Sequence, residues 1–174
     1  MGKYCVNTAC RPRFMIIDAC VLIDYMNGEP SLFNLISSHI SPIYIASPVL
    51  EEIDSISSVE ELENLGLVLI EPAIEDVFTA GKIKGPTSFQ DNICFLTALR
   101  QGFTCVSNDK NLRKQCTNAN VPVLWGLELL LELTRGGGIH RREASKIARA
   151  IQKSNPKHVT NKILTDFEDL LKQL

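Results

Sequence analysis

Five short segments, Phe14–Ile17, Ile43–Ile45, Leu67–Ile70, Phe103–Ser107 and Val121–Leu124, punctuate this chain with helix-forming stretches between them. Each is mostly apolar and too short for a buried helix, so each reads as a strand. Strands that alternate with helices are joined by crossovers, and crossovers impose a parallel sheet. The expected class is therefore α/β: a three-layer α/β/α sandwich with a parallel central sheet, plus a C-terminal helical hairpin. Pro122 marks the fifth strand as an edge, because proline cannot donate to a ladder.

The helices carry their own start and stop signals. After Asp18, Val21–Ile23 and Tyr25-Met26 continue an apolar face that Asn27-Gly-Glu-Pro30 ends. Ser31 is expected to cap a helix burying Leu32, Phe33, Leu35 and Ile36. Ser47-Pro48 reads as the N-cap and first turn of another, with Val49, Leu50, Ile53 and Ile56 on one face and Glu52 in its first turns. Ser58–Glu61 has the pattern of a capping box. Thr87–Asp91 opens an amphipathic helix with Ile93, Leu96, Thr97 and Leu99 inward, closed by Gly102.

The tail has two more helical faces. Ala144, Ile147, Ala148 and Ile151 oppose a stripe of Arg142, Lys146, Arg149 and Lys153. Ile163, Leu164, Phe167, Leu170, Leu171 and Leu174 share the second face. The expected organisation is a flexible arm over residues 1–13, a globular domain over 14–135, and a helical extension over 136–174. That extension has to bury its apolar stripes on the domain or on a partner.

Four acids stand where these elements meet their loops. Asp18 follows the first strand and Asp109 the fourth, while Glu52 and Asp91 lie in the first turns of helices. In an open parallel sheet, strand carboxyl ends and helix N-termini share one edge, where ligands collect. Each acid has a plainer explanation as a cap or a dipole partner, and Glu51 competes with Glu52. Four together beside apolar segments fit a shared divalent cation, because a carboxylate near a core is costly without one. Oxygen-only ligands favour Mg²⁺ or Mn²⁺, the ions that serve phosphodiester hydrolysis. Ser107 and Asn108 are placed to hydrogen-bond the site. Asp24, Asp54 and Asp76 read as surface or capping acids, with Asp24 alternatively supporting the site from behind.

Charge is divided along the chain. Residues 1–99 carry five basic and thirteen acidic side chains, a net −8, and residues 100–174 carry thirteen and seven, a net +6. That division fits a cation site beside a polyanion surface, for which Lys110, Arg113, Lys114, Arg142, Lys146 and Arg149 are the candidates. His39, His140 and His158 read as surface groups and Trp125 as core. None of the six cysteines forms a Cys-x-x-Cys pair. Four lie in or beside apolar runs and read as reduced thiols of a cytoplasmic protein; Cys5 and Cys10 could pair or bind a metal. Neither a membrane span nor a secretory leader is evident.

The segments Met15-Ile-Ile-Asp18, Ser47-Pro-Val-Leu-Glu-Glu52-Ile, Ser88-Phe-Gln-Asp91-Asn-Ile-Cys-Phe-Leu-Thr-Ala-Leu and Val106-Ser-Asn-Asp109-Lys-Asn-Leu together resemble PIN-domain nucleases. The similarity is greatest to the toxin subunits of VapBC-type toxin–antitoxin systems. It covers about residues 14–140 well and the tail loosely. It implies a Mg²⁺- or Mn²⁺-dependent endoribonuclease, often a homodimer, inhibited by a small antitoxin. On that resemblance Asp18, Glu52, Asp91 and Asp109 are the metal-site acids and Ser107 the hydroxyl beside the last of them. One position departs from the pattern: Cys20 stands where a small polar residue is usual. A non-catalytic PIN scaffold is the main alternative. Phosphotransfer folds fit less well, since Cys20 occupies the position of a phosphatase's second Asp, and a receiver's acceptor Asp and strand-ending Lys are not evident.

Overall fold

The computed structural model describes residues 14–53 and 55–174. The proposed arm, Cys5, Cys10 and Asp54 lie outside them. In chain order the described elements are β1 (Met15–Ile17), α1 (Ala19–Gly28), α2 (Leu32–His39), β2 (Ile43–Ala46), α3 (Ser47–Leu50), α4 (Val59–Asn64) and β3 (Leu67–Ile70). There follow α5 (Ile74–Ala80), α6 (Phe89–Gln101), β4 (Thr104–Val106), α7 (Lys110–Asn118), β5 (Val123–Leu124), α8 (Gly126–Arg135), α9 (Arg141–Ser154) and α10 (Asn161–Lys172).

The five strands form one sheet in the order β3-β2-β1-β4-β5, and every pairing is parallel. The α/β class and parallel sheet expected from the sequence are thus the fold of this protein. The central strands β1 and β4 are buried throughout, which is why they read as unbroken apolar runs rather than alternating ones. β5 is an edge strand, as Pro122 requires.

Local chemistry sets the element ends. The Ser88 side chain accepts from the Asp91 N–H while the Asp91 carboxylate accepts from the Ser88 N–H, a reciprocal cap that starts α6. Gly102 ends the same helix at φ 69°, a left-handed conformation that costs glycine little. Ser58 accepts from the Glu61 N–H at the start of α4.

Several local expectations are corrected. Ser31 makes no side-chain cap; its hydroxyl donates to Glu29 instead. Ser47 is not an N-cap either: Ala46 holds that position, and the Ser47 hydroxyl donates to Glu71. The helix it was expected to open stops after Leu50, because Ile53–Ser58 is all Ser, Asp and β-branched residues, poor helix formers. Ile53 and Ile56 are buried from irregular backbone instead. Leu99 is exposed; the buried face of α6 is Ile93, Cys94, Thr97 and Ala98.

The C-terminal helices bury the stripes their periodicity indicates. Ala144, Ile147, Ala148 and Ile151 on α9, with Phe167 and Leu171 on α10, join the same hydrophobic core as the sheet. α9 packs on α1, α8 and α10, and a Cβ added to Gly28 of α1 would stand 3.2 Å from Ile151. Leu171 and Phe167 close the second layer. Removing a buried isoleucine to its Cβ costs about 2–5 kcal/mol. Ile151→Ala is therefore expected to lower the urea midpoint of one common transition seen by both fluorescence and circular dichroism. A separate early transition would show that α9 and α10 fold apart from the sheet.

Candidate functional site

Sheet register builds the site. Ile17 pairs with Val106, so the next residues, Asp18 and Ser107, emerge side by side at the carboxyl ends of the central strands. The Asp18 N–H donates to the Val106 carbonyl at 3.1 Å, extending the ladder by one bond. β1 and β4 flank the point where strand order reverses, the place where open parallel sheets bind ligands.

Asp18 is 3% exposed and caps α1 through the Val21 N–H at 2.9 Å. The Ser107 hydroxyl and the Cys20 thiol also donate to its carboxylate. Cys20 thus fills the role a small hydroxyl side chain would play, at 3.0 and 3.1 Å from the two oxygens. All three donors are neutral. The Asp18 pKa is pushed up to about 6: burial, aided by the charge of Asp91, outweighs the lowering by the Ser107, Val21 and Cys20 donors. Burial, with the neighbouring Asp18 carboxylate, likewise raises the Cys20 thiol far above its ordinary range, so Cys20 stays a donor.

The other acids surround Asp18 without burial as deep. Asp109 caps α7, one oxygen accepting from the Asn111 and Leu112 N–H groups at 2.8 Å, and its own N–H donates to Ser107 Oγ at 2.9 Å. Asp91 spends one oxygen on the Ser88 N–H. In each case the second oxygen has no hydrogen bond among the described residues. Glu52 lies just past α3 and is exposed; partial burial, then the charge of Asp91, raises its pKa. Glu52 thus lies within the field of Asp91. Among the described residues, no three His, Cys, Asp or Glu side chains form a ready-made cage for an ion. Asp91 adds its charge to both Asp18 and Glu52, and water would have to complete any coordination shell.

Arg113 brings a cation to this edge. Its guanidinium lies 3.8 Å over the Trp125 ring and donates to the Ser107 carbonyl at 3.1 Å. Desolvation lowers its pKa, opposed chiefly by the charge of Asp109, then by those of Asp18 and Glu128. Trp125 is accordingly a half-exposed partner of Arg113 rather than a core residue. Lys110 and Lys114 are exposed on the same helix. His39 and His140 are exposed, and His158 is half-buried.

Two acids set aside as surface groups are buried. Asp76 is held by Arg100 through two bonds of 2.7 and 2.8 Å, away from the site. Asp24 is 2% exposed and accepts from Asn108 at 3.0 Å and from Asn155 at 2.8 Å. Asn108 in turn accepts from the Gly126 N–H at 3.0 Å, and the Gly126 carbonyl accepts from Tyr25 at 2.7 Å. A Cβ on Gly126 would meet the Asn108 side chain at 3.1 Å and Val21 at 3.2 Å, so a larger residue there would press on the clamp. The sequence signal for Asp24 was its place six residues after Asp18 on an apolar helix. Its partners come from remote segments and leave no local trace.

Asp18 and this clamp each give a measurable consequence. A carboxyl pKa raised from 3.8 to about 6 means the folded chain holds a proton that the unfolded chain has lost. The metal-free protein therefore loses stability as pH rises through that window, by up to about 3 kcal/mol. In EDTA, Asp18→Asn is expected to be more stable than wild type at pH 7.5, with the gap narrowing toward pH 4.5 in urea titrations. An Asn variant less stable at pH 7.5 would mean the charge is compensated. For the clamp, Asn155→Ala is expected to speed hydrogen exchange at the Gly126 amide at least tenfold, although Asn155 does not touch it. Unchanged protection would uncouple the hairpin from the site.

No protein-family model matches this chain, and no curated protein matches it in sequence. In structure it is similar to a PilT N-terminus domain protein from the hyperthermophilic archaeon Sulfolobus solfataricus P2. The TM-score is 0.51 at 13% sequence identity, covering 69% of this chain and 92% of that one. The shared feature is the backbone architecture, and the five-stranded parallel sheet flanked by helices is a PIN-like fold.

Proposed function

We propose that this protein is a metal-dependent ribonuclease that hydrolyses RNA phosphodiester bonds at the carboxyl edge of its sheet. The observation that carries this reading is Asp18: a buried carboxylate held only by neutral donors, with Asp91, Asp109 and Glu52 around it in a PIN-like fold. Such an edge has negative charge to offer. An oxygen-only donor set of this kind suits Mg²⁺ or Mn²⁺, which keep several waters in their shells.

Asp18, Asp91 and Asp109 would hold the ion, directly or through water, and Glu52 would complete the site. When bound, the ion supplies an acidified water and offsets charge on the phosphate. The chain's own contribution is positional. Ser107 and Cys20 keep Asp18 in one orientation, and the α7 N-terminus fixes one oxygen of Asp109 and leaves the other open. The exposed Glu52, with its raised pKa, is suited to accept a proton from the attacking water. Arg113, locked on Trp125, is available to a phosphate oxygen at the rim, with Lys110 and Lys114 beside it.

The motif resemblance supports a finer assignment: the toxin of a toxin–antitoxin pair, partnered by a small antitoxin and acting as a homodimer in the cytoplasm. No helix among the described residues is long and apolar enough to cross a membrane. The test of the hydrolase reading is cleavage of a single-stranded RNA by the purified chain. EDTA is expected to abolish it and Mn²⁺ to restore it, while Asp18→Asn and Asp109→Asn each reduce it at least 100-fold with unchanged circular dichroism. Cleavage retained in both variants would sink the assignment. Calorimetry that detects no Mn²⁺ binding would favour a non-catalytic scaffold.

A further inference from the structure

Away from the acidic edge, α9 and α10 enclose a concavity of about 420 Å³ lined by Arg141, Arg142, Ser145, Arg149, Glu168 and Lys172. Four cations face one carboxylate. Glu168 bridges Arg149 at 2.7 Å and Ser145 at 3.1 Å, which fixes the Arg149 fork on one wall. Lys172 on the other wall reaches Asp169 at 2.9 Å. Arg141 and Arg142 have no ion-pair partner among the described residues.

Those two arginines occupy the first turn of α9, where the helix already presents partial positive charge. Packing does not ask for them there, since both are exposed. Their placement is unfavourable for the free helix and becomes favourable once an anion sits between them and Arg149. From Arg141 to Arg149 is two turns, about 12 Å along the axis, long enough for more than one phosphate. Guanidinium forks match phosphate oxygens in pairs. A protein partner would need apolar side chains as anchors, and among the lining residues Leu171 is the one apolar type and is itself buried.

We infer that the α9–α10 groove binds the phosphate backbone of single-stranded RNA, as an affinity site separate from the hydrolytic edge. The choice of RNA among polyanions rests on the ribonuclease reading. Arg142 and Arg149 line the groove, whereas the exposed Lys146 on the same helix does not.

The test is binding of a fluorescent 12-nucleotide RNA to the full chain in EDTA, where cleavage is silent. An Arg141→Glu/Arg142→Glu double variant is expected to bind at least tenfold more weakly. Its salt dependence should be shallower by about 0.7 for each phosphate that is no longer neutralised, and Arg141→Gln/Arg142→Gln should fall between. Lys153→Glu/Lys157→Glu makes the same charge change elsewhere and should leave affinity within twofold. Equal loss in that control would reduce the groove to non-specific charge and overturn the inference. So would displacement of RNA by inorganic phosphate or by polyglutamate at equal charge, which would make it a free-anion or acidic-protein site. RNA binding that depends on the groove in a protein that never cleaves would leave the inference standing and remove the hydrolase reading. Cleavage with unchanged binding in the double variant would do the reverse.

Discussion

A carboxylate at the end of the central strand is the constraint on which the site depends. Asp18 is buried because β1 lies between β2 and β4 and α1 starts at its side chain. An ionised group there is costly unless compensated. What surrounds it is a backbone N–H, a thiol and a hydroxyl, which orient the charge without cancelling it. Ser107 can reach it only because β4 is its neighbour in register, and Asp109 is placed by the same Ser107 oxygen. One buried acid thus organises β1, β4, α1 and α7 around a point of uncompensated negative charge. Asp91 adds to that charge across the edge rather than relieving it.

The C-terminal hairpin belongs to this arrangement. Asn155, where α9 ends, donates to Asp24; Asp24 accepts from Asn108; and Asn108 lies between Ser107 and Asp109. Burial raises the Asp24 pKa, and the Asn155 and Asn108 hydrogen bonds, with the nearby His158, oppose the rise. The hairpin therefore contributes a polar tie as well as the apolar face of Ala144, Ile147, Ala148 and Ile151. The apolar face fixes where α9 lies on α1, and the tie fixes which residue of its end meets the site loop. A packed face alone tolerates small slides, whereas a buried network with each acceptor matched does not.

What could be read from the sequence was whatever short-range pattern encodes. The unbroken runs at Met15–Ile17 and Leu67–Ile70, the Ser88–Asp91 cap and the Gly102 stop all state their structure locally. The sheet followed from their alternation. The acids at strand ends were legible because topology alone brings strand ends to one edge. Asp24 and Asp76 were not, since their partners Asn155 and Arg100 are remote in sequence and an acid on an amphipathic helix looks solvated. Ser47-Pro48 misled because a serine hydroxyl has two uses, and here Glu71 from the neighbouring strand's end captures it. Trp125 misled likewise: an indole in an apolar run has the composition of core, but Arg113 one helix away takes its face.

Charge segregation along the chain now has a spatial meaning. The acidic half supplies Asp18, Glu52 and Asp91, and the basic half supplies α7 and α9. The two fields do not neutralise each other. α9 is 14 residues long, so its first-turn arginines lie roughly 21 Å along the axis from the end that meets Asp24. That exceeds the screening length of about 8–10 Å at physiological ionic strength. The groove's cations therefore cannot offset the burden at Asp18, whereas Arg113 on α7 lies within the fields of both Asp109 and Asp18. An edge whose charge no distant residue can offset has to be balanced where it stands. The small, hydrated divalent cation of the proposed function would do that without displacing the hydrogen bonds that already orient Asp91 and Asp109, because each has an oxygen to spare.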